Sequence, residues 1–316
     1  MQSTTFRLSA DDGVSQFVYR WEPEGHAPKA ALLLAHGMAE HAARYARLAE
    51  ALTQAGYVVY AGDHRGHGHT ARSAAELGHF ADEDGWNRAV QDLHRIRQRI
   101  EQEHPGVPLV VMGHSMGSML VRSYLAQHGA GVAAAVLSGT NGAASAGARV
   151  ARLIARGERL RLGPRKSSPV LQMLCIKPYN LQFRPTRTEN DWLSRDTVEV
   201  DKYTADPLCG FPLTVQAWID VLGGIIDIER GETIARLPKA LPFYVFAGQR
   251  DSVGANTRGV RWLLERLARA GVADVTHHFY ADARHETLNE TNRAEVTHDL
   301  IAWLDATLAR SAGRAA

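Results

Sequence analysis

The chain has 316 residues, room for one large α/β domain or a domain carrying an insertion. A hydrophobic content of 45% supplies a proper core, and a formal net charge of +2 excludes a general nucleic-acid footprint. Two cysteines, Cys175 and Cys209, exclude a disulfide framework and suit a reducing compartment. Residues 1–13 are polar and hold no apolar signal-peptide core, and no apolar run approaches a membrane span. The composition therefore reads as a soluble cytoplasmic protein.

In chain order, residues 17–21 alternate weakly and predict an antiparallel strand. Residues 30–35 are continuously apolar, as in a central strand covered on both faces. Residues 41–55 predict a helix with Tyr45, Leu48, Ala49 and Leu52 on one face, stopped by Gly56. A strand at 57–60 follows. Asp84 is placed to cap a helix that carries Trp86, Val90, Leu93, Ile96 and Ile100. A strand at 108–112, a helix at 118–128 and a strand at 133–137 come next. The alternation then stops and resumes with a strand at 242–247, a helix at 258–270, a strand at 275–280 and a helix at 293–308. This rhythm predicts an α/β fold, with a mostly parallel sheet and helices on both faces. Residues 1–140 and 238–316 form the expected core. Residues 141–237 read as an inserted, mainly helical cap above the ligand crevice.

Between the strand at 108–112 and the next helix stands Gly113-His-Ser-Met-Gly117. It matches the Gly-x-Ser-x-Gly elbow, a sharp turn that presents a serine hydroxyl as nucleophile. Both glycines are required because a β-carbon at either position would strike the adjoining backbone. A serine hydroxyl needs a base, and the base needs an orienting carboxylate. In this fold the order is serine, acid, histidine, each in a loop after a strand. Asp251 follows the strand at 242–247 and His285 follows the strand at 275–280, which completes the set Ser115, Asp251 and His285. The competitors fit less well. His277 and His278 fall inside a strand, one expected to face the core and the other a helix, and His298 falls in the last helix. Asp282 is too close to His285 along the loop, and Asp274 precedes its strand. Oxyanion donors are expected from the Met116 N–H and, in the loop after residues 30–35, from the Met38 N–H, with Gly37 allowing the tight turn.

These residues resemble the monoacylglycerol lipase and lysophospholipase branch of the α/β-hydrolases, the serine aminopeptidase S33-like group. The resemblance rests on His36-Gly-Met-Ala-Glu-His41 with Arg44-Tyr45, on Asp63-His-Arg-Gly-His-Gly-His69, and on the elbow. Asp206-Pro-Leu208, Gly248-Gln-Arg-Asp251 and residues 283–290 carry it further. It implies the same triad and oxyanion hole, no cofactor, and hydrolysis of a single-chain acyl ester beneath a mobile, lipid-facing cap. It further implies substrate contacts by His114 and Tyr203, with Gly37, Glu40 and Arg44 near the same pocket. The apolar part of the cap departs from the animal lipases, which bears on the preferred substrate rather than on the chemistry.

Two other features admit sharp and bland readings. His64, His67 and His69 resemble a metal cluster, but no acid or cysteine accompanies them in ligand spacing, so a structural loop is expected and no metal. Residues 149–166 carry Arg149, Arg152, Arg156, Arg159, Arg161, Arg165 and Lys166 beside Val150, Leu153 and Ile154. That segment is either an interfacial helix drawn to anionic lipid or a solvated face paired with the acids between 189 and 206. The leading function is a serine esterase acting on lysophospholipid or monoacylglycerol. Acyl transfer, amide or peptide hydrolysis, small-ester hydrolysis, carbon–carbon cleavage and a non-catalytic binding module are the alternatives.

Overall fold

A computed structural model describes residues 1–142 and 146–315; the expected insertion therefore includes three residues, 143–145, outside the described ones. The strands are β1 (Gln2–Ser9), β2 (Ser15–Glu22), β3 (Ala30–Ala35), β4 (Tyr57–Gly62), β5 (Leu109–His114), β6 (Val132–Ser138), β7 (Phe243–Gly248) and β8 (Val275–Tyr280). They form one sheet in the order β1-β2-β4-β3-β5-β6-β7-β8. The β1/β2 and β2/β4 pairs are antiparallel and the remaining pairs are parallel.

The helices that cover the sheet are α1 (Ala46–Gln54), α2 (Gly85–Glu103), α3 (Met116–His128), α9 (Arg258–Arg269) and α10 (Arg293–Ala315). Between β6 and β7 the chain adds α4 (Ala146–Leu162), α5 (Pro169–Cys175), α6 (Thr197–Ala205), α7 (Val215–Ile228) and α8 (Gly231–Ala235). Residues 30–35 are wholly buried because alternate side chains feed two cores. Ala31, Leu33 and Ala35 join α2 and α3 on one face, whereas Ala30, Leu32 and Leu34 join α1 and α10 on the other. Trp218, Val221 and Leu222 of α7 join the α2–α3 core, so the far end of the insertion packs onto the body of the fold.

One element goes beyond the sequence reading and two local expectations are corrected. The polar segment 2–9 is an edge strand, held by its full ladder to β2 rather than by apolar content. Asp84 precedes α2 but does not cap it. It sits at φ 54° and accepts from Asn87 Nδ2 at 3.2 Å. His277 and His278 are both exposed, because β8 is the sheet edge, and their rings lie against Phe279 and Tyr280.

Candidate active site

Ser115 stands between β5 and α3 at φ 51°, ψ −123°, a strained setting for a residue with a side chain. The turn is closed by two glycines. A β-carbon on Gly113 would lie 2.3 Å from Gly117 O, and one on Gly117 would lie 2.1 Å from Ala35 O. Both obstacles are backbone and cannot rotate away. Ser115 N–H donates to Ser138 O at 2.9 Å, which locks the elbow to β6.

The loop after β8 carries His285, and the loop after β7 carries Asp251. Asp251 Oδ1 accepts from His285 Nδ1 at 2.9 Å and from the Val253 amide at 2.9 Å. Both residues are buried, whereas Ser115 keeps partial exposure. Burial opposes a charged imidazole at His285. The charge and hydrogen bond of Asp251 outweigh it, with Glu286 and Glu40 adding, so the histidine titrates above its ordinary 6.5. Neighbouring His114 behaves oppositely. Burial, and then the charge of His285, push it down to about 4. Its Nδ1 meets Ser138 Oγ at 3.2 Å, and its ring lies 4.8 Å from that of His285.

The loop after β3 turns beside the elbow. Gly37 N–H donates to Glu40 Oε1, and Ala39 N–H donates to His67 Nε2 at 3.2 Å. The Met38 amide between them has no acceptor among the described residues. Met116 opens α3, where the first N–H groups of a helix lack intrahelical partners. The geometry thus leaves these two amides available beside Ser115.

The loop is supported from below. Glu40 also accepts from Tyr45 Oη at 2.8 Å and pairs with Arg44. Arg44 binds Glu286 through two hydrogen bonds of 2.7 Å. Burial would raise the Glu286 carboxyl, but the Arg44 charge and hydrogen bonds prevail, with His114 and Asn289 adding, and hold it at about 2. His36 Nε2 accepts from His64 N–H at 2.9 Å, and His64 Nε2 faces His36 O at 3.0 Å. Burial pushes His64 down to about 4. At His67, burial and the neighbouring His64 push the ring to about 3, so these imidazoles are neutral supports. Asp63 accepts from the amides of Ala42 and His69, and Arg65 binds Asp92 and Asp12, which makes 63–69 a structural loop.

A cavity of about 970 Å³ opens over Ser115. Gly37, Met38, Glu40, His114, Met116, Tyr203 and His285 all line it, so the structure brings most of the predicted residues together. Arg44 does not line it. Its guanidinium lies behind the wall, 4.9 Å from the Tyr203 ring. Tyr203 is buried, and its hydroxyl donates to Ala39 O at 2.9 Å, tying α6 to the loop after β3. The inserted segment supplies an apolar wall from Ile154, Tyr179, Trp192, Trp218, Leu222 and Ile225. The sequence reading missed Glu286, Tyr179 and Trp192. Trp192 offered one signal, a large aromatic isolated in a polar stretch.

The chain matches the Hydrolase_4 family, described as serine aminopeptidase, S33, over residues 26–292. It is 31% identical to a monoacylglycerol lipase of Mycolicibacterium smegmatis, covering 90% of each chain. It is 30% identical to the human monoglyceride lipase, covering 93% of this chain and 88% of that one. Its structure superposes on a highly thermostable carboxyl esterase from Bacillus coagulans, solved with glycerol. There the TM-score is 0.91 at 27% identity, covering 98% of this chain and 99% of that one. With the elbow, the parallel sheet and this match over most of its length, the chain belongs to the Hydrolase_4 family, in the monoacylglycerol lipase-like branch of the α/β-hydrolases.

Proposed function

We propose that this protein is a serine hydrolase that cleaves carboxylic esters of single-chain lipids, with monoacylglycerol and lysophospholipid as the first substrates. One observation carries the reading: Ser115 and His285 share an apolar cavity with two unengaged backbone amides, and a buried Asp251 orients the histidine. In this reading Ser115 Oγ attacks the ester carbonyl while His285 takes its proton and Asp251 stabilises the imidazolium. The Met38 and Met116 amides receive the oxyanion. His285 then protonates the leaving alcohol, and water activated by the same histidine releases the fatty acid. His114 and Tyr203 line the cavity and are proposed to face the alcohol portion, Gly37 and Glu40 line it beside them, and Arg44 supports Glu40 from behind. The test is a fluorophosphonate probe together with turnover of monoacylglycerols, lysophospholipids and p-nitrophenyl esters. Wild type reacts and Ser115→Ala does not; undiminished labelling of that variant places the nucleophile elsewhere.

The segment 141–237 serves as a cap in the same reading, and its outer surface supports contact with anionic membranes. Leu153 (64% exposed) and Leu160 (90% exposed) stand one heptad apart on α4, with Arg149 and Arg156 at i−4 and i+3 to Leu153. The expected pairing of this basic segment with the acids at 189–206 is not made among the described residues. Arg161 pairs with Glu158 and Arg165 with Asp82, whereas Glu199, Asp201 and Asp196 pair with Arg47, Arg187 and Arg293. Equal liposome binding by wild type and a variant with Arg152, Arg156 and Arg159 neutralised would sink the membrane contact. No helix among the described residues is long and apolar enough to cross a membrane. Two free thiols support a cytoplasmic location.

A further inference from the structure

The inserted segment grips the histidine of the active site directly. The Trp192 indole lies 5.1 Å from the His285 ring, centroid to centroid, tilted by 32°. Two consecutive amides of the histidine loop donate to two consecutive carbonyls of the insertion: His285 N–H to Trp192 O at 3.4 Å and Glu286 N–H to Leu193 O at 2.7 Å. Arg284 fastens the same junction through the carbonyls of Asp191 and Ser194. Behind Trp192 stands the Tyr179 ring, 5.1 Å away. The neighbouring turn is tied to the acid's loop as well. Gln182 Nε2 donates to Arg250 O at 2.9 Å, and the guanidinium groups of Arg250 and Arg284 both lie over the Phe183 ring.

A histidine in this role must keep one nitrogen on its carboxylate and the other on the serine. Asp251 holds the Nδ1 end, but one hydrogen bond leaves the ring free to swing and lets water approach its faces. Among the described residues, the His114 and Trp192 rings pack against the imidazole. We propose that Trp192 is a positioning residue for His285: its indole closes one face of the imidazole, excludes water from the His285–Asp251 pair and keeps Nε2 aimed at Ser115. This rests on the serine-hydrolase reading of the site. Through these bonds residues 182–193 of the insertion are joined to the loops that carry Asp251 and His285.

The experiment compares wild type, Trp192→Ala and Trp192→Phe on p-nitrophenyl acetate, a substrate too short to use the apolar wall. It reads kcat, KM and thermal melting. Trp192→Ala lowers kcat about tenfold or more while KM moves less than about threefold, as expected when a reacting group is misplaced rather than lost. Trp192→Phe stays within about threefold of wild type, because a flat apolar ring is retained. Unchanged kcat in Trp192→Ala overturns the proposal. So does a loss that Trp192→Phe fails to rescue, or one in which KM rises as much as kcat falls. A wild type with no ester turnover and no fluorophosphonate labelling overturns the hydrolase reading itself, an outcome distinct from these.

Discussion

Arg44 and Glu286 meet in a two-bond ion pair, each bond 2.7 Å, across 242 positions of sequence. Arg44 belongs to the turn after β3, next to the loop at 37–40, and Glu286 is the residue after His285. The pair therefore couples the loop expected to hold the oxyanion to the loop that carries His285, the proposed base. Glu40 joins the same guanidinium and also holds the Gly37 amide. Two carboxylates thus depend on one buried cation.

Arg44→Met removes that cation and strands both acids. Breaking a buried ion pair from one side costs about 3–5 kcal/mol, so urea unfolding shifts by that amount. Adding Glu286→Gln recovers part of the loss, because one stranded charge is gone. A single variant within about 1 kcal/mol of wild type would contradict this account of the network.

Asp251→Asn keeps the shape and loses the charge. The amide cannot stabilise the imidazolium or fix its tautomer, and kcat falls on the order of 10⁴-fold with the fold intact. Steady-state kinetics beside a melting curve check it. Near-normal turnover would reassign the acid.

The pH dependence of activity follows from the raised His285. A base must be neutral to accept a proton, and its folded value lies above 6.5. The acid limb of kcat/KM therefore has its midpoint above pH 6.5, and in Asp251→Asn the residual activity titrates lower. A wild-type midpoint below 6.5 contradicts the assigned environment.

The pH dependence of stability has another source. His64 and His67 are held neutral by burial, at about 4 and about 3 against 6.5 when unfolded. Below pH 6.5 the unfolded chain takes up protons that the folded chain refuses, so stability is full above 6.5 and falls as the pH drops toward 4. Each such histidine contributes a slope of about 1.4 kcal/mol per pH unit within its window. Urea midpoints between pH 7 and pH 5 measure it, and a flat profile would rule it out.

Gly117→Ala tests the elbow without touching a polar group. Its β-carbon would stand 2.1 Å from Ala35 O, so β3 and α3 must separate. Overpacking of this kind costs about 1–3 kcal/mol or more, read as lower soluble yield and melting temperature. Wild-type melting would mean that the turn has room to spare.

Continuous apolar runs such as 30–35 are dictated by burial on both faces, and the elbow, Asp251 and His285 fall in loops because parallel strands bring their C-terminal ends to one edge. Those features are local in pattern and regular in consequence, so the order of residues along the chain was enough to specify the fold class, the candidate triad and its sequence of members. Glu286, Tyr179 and Trp192 were not legible, because their roles depend on partners far away in sequence. Nothing near Trp192 announces that its indole will rest on His285, and nothing near Arg44 announces that it will bind Glu286 rather than substrate. The same holds for His277 and His278, whose exposure depends on β8 being the last strand of the sheet. Which polar residues face the cavity and which support it from behind was settled only by three-dimensional packing. Periodicity records how a side chain is buried, whereas a charge or a ring finds its partner only when the chain closes on itself.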